Sequence, residues 1–487
     1  MKYIQETPGN QLSLAPFCLD DLVDDNSSVH LINGFVNAIA PRFSLLGFKE
    51  KTSRTGRPSY LVATLLKLFI YGYLHRVRSS RRLEAEACRN VEVMWLTGQL
   101  KPDDRTICNF RKNNKNALAK ILKEFNLWCK SLDLFGGKLV GIDGTKCRAN
   151  ASKKHFRTGA YLQAEQDTLG KIHAAVAEYL RILDSNDGEE LKTEKLSRAT
   201  IEKALKQLEK QKEMLSKNLD AIGDKKTINT TDPDAKLMPT GGEGRAFDAR
   251  YNIIAAVDDK HGLVATVQVV DSTNDSGHLF DIAKETKEMM GVEALAIVAD
   301  RGFVNGEDVT RCEVEGLQCH LPPIALKGHA PTVDFDKDRF IYNEECNAYT
   351  CPVGQTLHYK RAVTPAKAHP YHLYENPKAC KSCPKNHLCT ANKNKFRSIT
   401  RSIYQGSMDA IDQRRQTKEG KAILRRRKAI VEAPFGVVKH VWGYQQFLCR
   451  GKEAVQCESA MAFLAYNFRR LINIFRAKKV TLKTLFA

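Results

Sequence analysis

The stretch Leu139-Val140-Gly141-Ile142-Asp143-Gly144-Thr145 decides the reading of this chain: a short apolar run that ends on an acid and a glycine. Such a run, bounded by turn residues, reads as a buried strand with Asp143 at its tip. The pattern recurs in Leu295-Ala296-Ile297-Val298-Ala299-Asp300-Arg301-Gly302. A third acid, Glu432, follows the basic run Arg425-Arg426-Arg427-Lys428-Ala429-Ile430-Val431 on a segment of helical character. Two acids at strand tips and one on a helix can converge into a cluster that binds a pair of divalent cations.

Working outward, residues 138–143, 251–257 and 263–270 read as short strands, the last two joined by the turn Asp258-Asp259-Lys260-His261-Gly262. A helix is expected over 277–290, then strands over 295–299 and 318–322. Strand, hairpin, helix, strand is the order of a ribonuclease-H-like α/β sheet. Residues 20–135 read as helical. Leu61, Leu65, Leu68 and Gly72 keep helical spacing, with Pro58 near the start. Shorter helices fall around Arg82-Leu83-Glu84 and Asp104-Arg105-Thr106-Ile107, with Asp103 or Asp104 as cap. The expected fold class is therefore α/β. It comprises an N-terminal helical DNA-binding domain (1–135) and a ribonuclease-H-like catalytic core (136–322 plus 421–475). A helical insert (160–222) and a cysteine-rich insert (323–420) interrupt the core.

The formal net charge is +20 over 487 residues. Neutralising phosphates releases counterions, so such a charge points to a polyanion. Interleaved Tyr71, Tyr73, His75, Arg76, Arg78, Arg81 and Arg82 suit a helical DNA-binding module. Lys146, Arg148 and Arg301 flank the two aspartates, and Lys439 follows Glu432 by seven residues. Between Lys393 and Lys428 twelve Lys or Arg stand against three Asp or Glu, a steep basic approach to Glu432. Phosphate contact is the role expected of it. Met1–Phe17 lacks the basic-then-apolar pattern of a secretory signal, and no run is long and apolar enough for a membrane span. Fourteen cysteines in such a chain read as reduced thiols or metal ligands, in a cytoplasmic, nucleoid-associated protein. Asp232 and Asp234, around Pro233, read as structural, and Asp258 and Asp259 as hairpin-turn residues.

The acids fit a definite chemistry. Breaking a phosphodiester needs in-line attack on a phosphorus shielded by negative oxygens, which two metal ions can assist. Mg²⁺ or Mn²⁺ takes oxygen ligands, with few protein carboxylates and the rest water or phosphate.

At these residues the chain resembles the DDE transposases of bacterial insertion sequences, the group with an N-terminal helical domain and a cysteine-bearing insert before the final Glu. The matching segments are Asp143-Gly144-Thr145-Lys146-Cys147-Arg148-Ala149-Asn150-Ala151-Ser152-Lys153, Thr231-Asp232-Pro233-Asp234-Ala235 and Ala299-Asp300-Arg301-Gly302-Phe303. Val431-Glu432-Ala433-Pro434-Phe435-Gly436, running on to Phe447-Leu448-Cys449-Arg450-Gly451, completes them, and residues 57–112 resemble that group's N-terminal domain. The resemblance implies Asp143, Asp300 and Glu432 as catalytic, metal-binding acids, with Lys439 at the family's lysine position. It implies double-stranded DNA partners (terminal inverted repeats and target DNA), a homodimer or higher assembly on DNA, and hydrolysis at element ends. The freed 3′-OH would then join target DNA without a covalent protein intermediate. The rival expectations are a non-catalytic, transposase-derived DNA-binding protein and a ribonuclease-H-like nuclease that never joins strands. Lys428 and Arg425 stand where many relatives have Arg and Tyr, which keeps charge but loses bidentate and aromatic contacts. Pro434 and Gly436 are expected to interrupt the helix of Glu432.

Cys380-Lys381-Ser382-Cys383 is a CxxC with Cys389 six residues on, and Cys351 upstream completes a candidate structural Zn²⁺ set. Cys346, His358, His372 and His387 compete for the fourth place, against the simpler reading of unliganded thiols.

Overall fold

The computed structural model describes residues 18–49, 58–185, 198–223, 226–240, 246–323, 330–366 and 369–486. Met1–Phe17 and Arg57 lie outside the described residues, so the reading of the leader and the first residue of the 57–112 segment have no structural counterpart.

Polar caps start three of the N-terminal helices where the sequence changes from loop to periodic apolar spacing. Ser27 caps α1 (Ser28–Ile39), and α2 spans Val62–Leu74. Helix α3 covers Ser80–Arg89 and α4 covers Val91–Thr97, the latter capped by Asn90. Asp103 caps α5 (Asp104–Asn113) by accepting from the Thr106 amide at 2.7 Å, and α6 runs over Lys115–Ser131. Leu65 and Leu68 are buried, whereas Leu61 is 73% exposed because the helix starts only at Val62, four residues after Pro58. A methyl at Gly72 would sit 2.6 Å from the Val77 carbonyl, so glycine allows the next turn to close onto α2. Tyr71 and Tyr73 are buried. Arg78 bonds Glu458 at 2.9 Å and stacks over Tyr444. These three members of the aromatic–basic stretch serve the core, and Arg76, Arg81 and Arg82 remain exposed.

Among the described residues the main sheet has six strands. They are β1 (Leu139–Arg148), β2 (Lys236–Pro239), β3 (Phe247–Asp258), β4 (Val264–Val270), β5 (Leu295–Ala299) and β6 (Leu317–His320). β1 is central, antiparallel to β3 on one side and parallel to β5 on the other; β6 follows β5 in parallel. β2 and β4 share the outer edge of β3. The sequence order of strand, hairpin and two further strands is present, with β2 unanticipated. β1 does not end at Asp143. It continues to Arg148, whose amide donates to the Gln445 carbonyl at 2.9 Å and whose carbonyl accepts from the Phe447 amide at 3.0 Å. Antiparallel pairing with β3, from Asp143 opposite Ala255 to Arg148 opposite Arg250, extends the strand beyond its apolar half.

Between β1 and β2, α7 (Gly159–Ser185) and α8 (Arg198–Ile222) pack on each other around Leu162, Leu215 and Ile222. Helix α9 (Leu279–Met290) links β4 to β5, starting two residues later than expected because His278 is its cap, and α10 (Gly306–Val314) links β5 to β6. Then a second sheet of five antiparallel strands forms where the sequence suggested only a cysteine-rich insert. Its strands are β7 (Ile341–Asn343), β8 (Ala348–Thr350), β9 (Thr356–Val363), β10 (Tyr371–Glu375) and β11 (Ser398–Ser402). Its own core is small: Phe340, Tyr349, Leu357, Tyr374 and Ile399.

Helices α11 (Gln405–Gln416), α12 (Lys418–Phe435) and α13 (Lys452–Ala477) complete the chain. α13 joins the N-terminal helices to the sheet. Phe468 packs on Phe35 and Phe125, with ring centroids 5.6 and 4.3 Å away. Asn467 donates to Asn126 at 2.9 Å and accepts from the Val264 amide of β4 at 2.8 Å. Asn126 in turn donates to the Val264 and Ala265 carbonyls. No helix among the described residues is long and apolar enough to cross a membrane.

Candidate active site

Parallel register brings the first two acids together. Gly141 lies opposite Val298 and Ile142 opposite Ala299, so the next residue on each strand is an aspartate. Asp143 sits within β1; Asp300 follows β5 and closes its turn by accepting from the Gly302 amide at 2.7 Å. Burial pushes the Asp143 carboxyl up to about 6. The Gly144 amide, donating at 2.8 Å, works against that rise. The charges of Asp300 and Asp275 add to it, and Arg427 opposes it. A nearby carboxylate raises Asp143 because its negative charge disfavours ionising a second acid beside it.

Asp275, which sequence reasoning missed, belongs to the same cluster. It lies in the polar loop after β4, and Asn252 of β3 donates to its Oδ1 at 2.8 Å. A methyl at Gly144 would come 2.6 Å from Asp275 Oδ1. One at Gly302 would lie 3.0 Å from Asp300 Oδ1 and 3.5 Å from Asp275 Oδ2. The two glycines thus make the space into which both carboxylates fold. The signal was Asn252: a fully buried amide inside an apolar strand needs a polar partner.

The third expected acid arrives on α12, which crosses β1 just before Asp143. A methyl at Gly141 would meet Val431 Cγ1 at 2.5 Å and Ile430 Cγ2 at 2.8 Å, so glycine lets the helix lie directly on the strand. Arg427 reaches back to Asp143, Nη1 to Oδ2 3.6 Å. Glu432, next to Val431, is exposed, and among the described residues its side chain makes no hydrogen bond or ion pair. The structure therefore gathers Asp143, Asp300 and Asp275, with Glu432 on the adjacent helix and its carboxylate in solvent. Among the described residues no three such side chains are drawn closely enough to enclose an ion. Pro434 does not break the helix as expected. α12 runs through it to Phe435 and continues directly into a π-helical turn over Gly436–Val441.

The basic residues divide into two groups. Arg425, Lys428 and Arg301 are exposed and Lys146 is half-buried. Others have protein partners: Arg426 pairs with Asp259, Arg148 with Asp248 at 2.8 Å, and Arg427 with Asp143. Lys439 Nζ donates to Thr145 Oγ1 at 3.1 Å and to the Lys146 carbonyl at 3.0 Å, clasping the far end of β1.

Asp232 is buried and accepts from the Tyr251 hydroxyl at 2.7 Å and the Gly451 amide at 3.1 Å, while Asp234 accepts from the Lys452 amide at 2.8 Å. The pair caps α13. Asp258 accepts from the Gly136, Gly137 and Lys260 amides around the hairpin turn.

Away from the acids, Cys351, Cys380, Cys383 and Cys389 line one cavity of about 20 Å³ beside Phe335 and Leu357. Burial pushes Cys389 up to about 11; Arg397 opposes the rise, and the other three thiols add to it. His358 on β9 and His372 on β10, like Cys346 and His387, do not line the cavity.

Comparison with known families covers both ends of this arrangement. Residues 350–472 match the family model of the transposase DDE domain, and residues 17–113 match that of a transposase domain (DUF772). The first match spans the four cysteines, Glu432 and most of α13, and implies a ribonuclease-H-like core; Asp143 and Asp300 lie outside it. Neither the curated proteins nor the solved structures offer a match.

Proposed function

We propose that this chain, which carries the two transposase segments typical of bacterial insertion-sequence DDE transposases, cuts DNA at element ends and joins the freed 3′-OH to target DNA. The observation that carries the reading is the side-by-side placement of Asp143 and Asp300 on parallel strands, beneath the helix that bears Glu432.

The donor set fits a divalent cation. Asp143, Asp300 and Asp275 offer hard oxygens in one place, and burial plus mutual repulsion make uncompensated charge there costly. Mg²⁺ or Mn²⁺, two per site, would supply Lewis acidity at the scissile phosphate and a more acidic bound water. Asp143, Asp300 and Glu432 would hold them, with Glu432 turning in from solvent. Arg427 meanwhile balances the charge of Asp143. Arg425, Lys428, Arg301 and Lys146 are placed to meet phosphate oxygens, and Lys439 positions β1 through Thr145. In-line displacement by water and then by a DNA hydroxyl needs no Ser, Tyr or Cys nucleophile. The N-terminal helices (1–135) are read as the DNA-binding domain, 136–322 plus 421–475 as the core, and two copies as the working assembly, since two ends must meet.

The four cysteines form a second metal proposal. Four soft donors lining one small cavity would suit tetrahedral Zn²⁺ once drawn together, since among the described residues they do not yet form a ligand cluster, and the ion would staple an insert with few core residues of its own.

The test is a cleavage and strand-joining assay on DNA carrying the element's ends. Asp143→Asn, Asp300→Asn and Glu432→Gln should each abolish cleavage and leave DNA binding in place. Full activity in any of the three would sink the assignment. Cleavage without joining would convert the reading to a nuclease, and binding without either to a DNA-binding derivative.

A further inference from the structure

Helix α7 is apolar on two faces. One face, through Leu162 and Leu169, packs on α8. The other presents Tyr161, Ile172, Tyr179 and Ile182 at 51, 44, 43 and 48% exposure, with Thr168 and Ala175 between them. From Tyr161 to Ile182 these positions advance by seven, four, three, four and three residues, the spacing of a coiled-coil seam. A helix hydrophobic on both sides belongs between two partners. A stripe of this size is more than the scattered apolar residues of an ordinary surface.

Charge indicates what covers it. Helices α7 and α8 together carry eight Lys or Arg and eight Asp or Glu, so the arm is neutral in a chain of net charge +20. Phosphate attraction has no purchase there. We propose that this face of α7 docks antiparallel on α7 of a second copy of the chain. The edge of the seam containing Leu162 and Leu169 is occupied by α8, which leaves only the other edge, with Lys171 and Glu178, to flank the contact. Antiparallel packing sets that edge against its own copy. Placing Ile172 opposite the partner's Ala175, and Tyr179 opposite the partner's Thr168, brings Lys171 onto the partner's Glu178, and the two-fold axis repeats the pair. Both side chains are exposed, and Glu178 meets only Arg181 of its own helix, at 3.4 Å, in an exposed pair of little strength. The surface lies apart from Asp143 and does not rest on the catalytic reading.

Sedimentation of the full chain without DNA tests the proposal. The wild type and Asp143→Asn should form the same dimer. Ile172→Asp combined with Tyr179→Asp should leave a monomer of unchanged helical content by circular dichroism. Lys171→Glu should weaken the dimer about tenfold, and adding Glu178→Lys should restore it. A wild type that stays monomeric to its solubility limit, or a dimer indifferent to the double aspartate variant, overturns the interface. A charge reversal that is not rescued overturns the antiparallel register.

Discussion

Arg427 stands five residues before Glu432 on α12 and meets the carboxylate of Asp143 at 3.6 Å, so one helix both neutralises the half-buried acid and presents the exposed one. Its neighbours Arg425 and Lys428 face solvent instead. Arg427→Ala should lower cleavage about tenfold or more, a loss of ~1.4 kcal/mol in transition-state stabilisation, with DNA affinity little changed. Lys428→Ala should do the converse: weaker DNA binding and a shallower dependence of affinity on salt, by about one unit of slope. Titration of binding at several salt concentrations, beside single-turnover cleavage, separates the two.

Asp275 and Gly144 yield a paired expectation. Gly144→Ala would push a methyl to 2.6 Å from Asp275 Oδ1, and Asp275→Asn would keep an acceptor for Asn252 while removing the charge. Both should reduce cleavage while the melting temperature stays close to wild type, because the loop is at the surface. Mn²⁺ binding followed by electron paramagnetic resonance should weaken in Asp275→Asn. Unchanged metal affinity and unchanged cleavage would remove Asp275 from the site.

Gly141→Ala tests the seating of α12. The added methyl meets Val431 and Ile430 in a packed core, where overpacking costs about 1–3 kcal/mol. Both stability and cleavage should fall, measured by chemical denaturation and by the end-cleavage assay. Val431→Ala in the same chain should recover part of each by making room.

Asp232 carries a pH prediction. Burial raises its carboxyl above the ordinary 3.8, against the opposing bonds from Tyr251 and Gly451. The folded state therefore holds the proton more tightly than the unfolded chain. The stability contributed by the neutral carboxyl is full below 3.8 and is lost as pH rises through the raised value. Asp232→Asn does not titrate and still accepts both bonds. The melting temperature of wild type minus that of Asp232→Asn should fall across that window, and a flat difference would contradict the assignment.

Legibility differed by element for physical reasons. Asp143 and Asp300 were readable because buried parallel strands are continuous apolar runs, and the residue ending each run falls at the same level of the sheet. Asp275 was not, because a polar loop has no periodicity and only the buried Asn252 hints at where it folds. The far half of β1 was missed because Thr145–Arg148 is polar, and its pairing with β3 is set by chain about a hundred residues later. Pro434 misled in the other direction: local rules break a helix there, while packing of Ile430 and Val431 on Gly141 holds it and the helix runs on to Phe435. The second sheet hid behind its cysteines. Its strands β7 and β8 have three residues each, shorter than a pattern can register.

The amide-to-amide link from Asn126 through Asn467 to the Val264 backbone works as the fixed end of a ruler. It ties the helices proposed to grip DNA to the sheet that carries Asp143. Whatever sequence the N-terminal helices recognise, the scissile phosphate must then lie a set number of base pairs away. Positional accuracy of cutting would thus come from a few buried asparagines far from any charge that touches DNA.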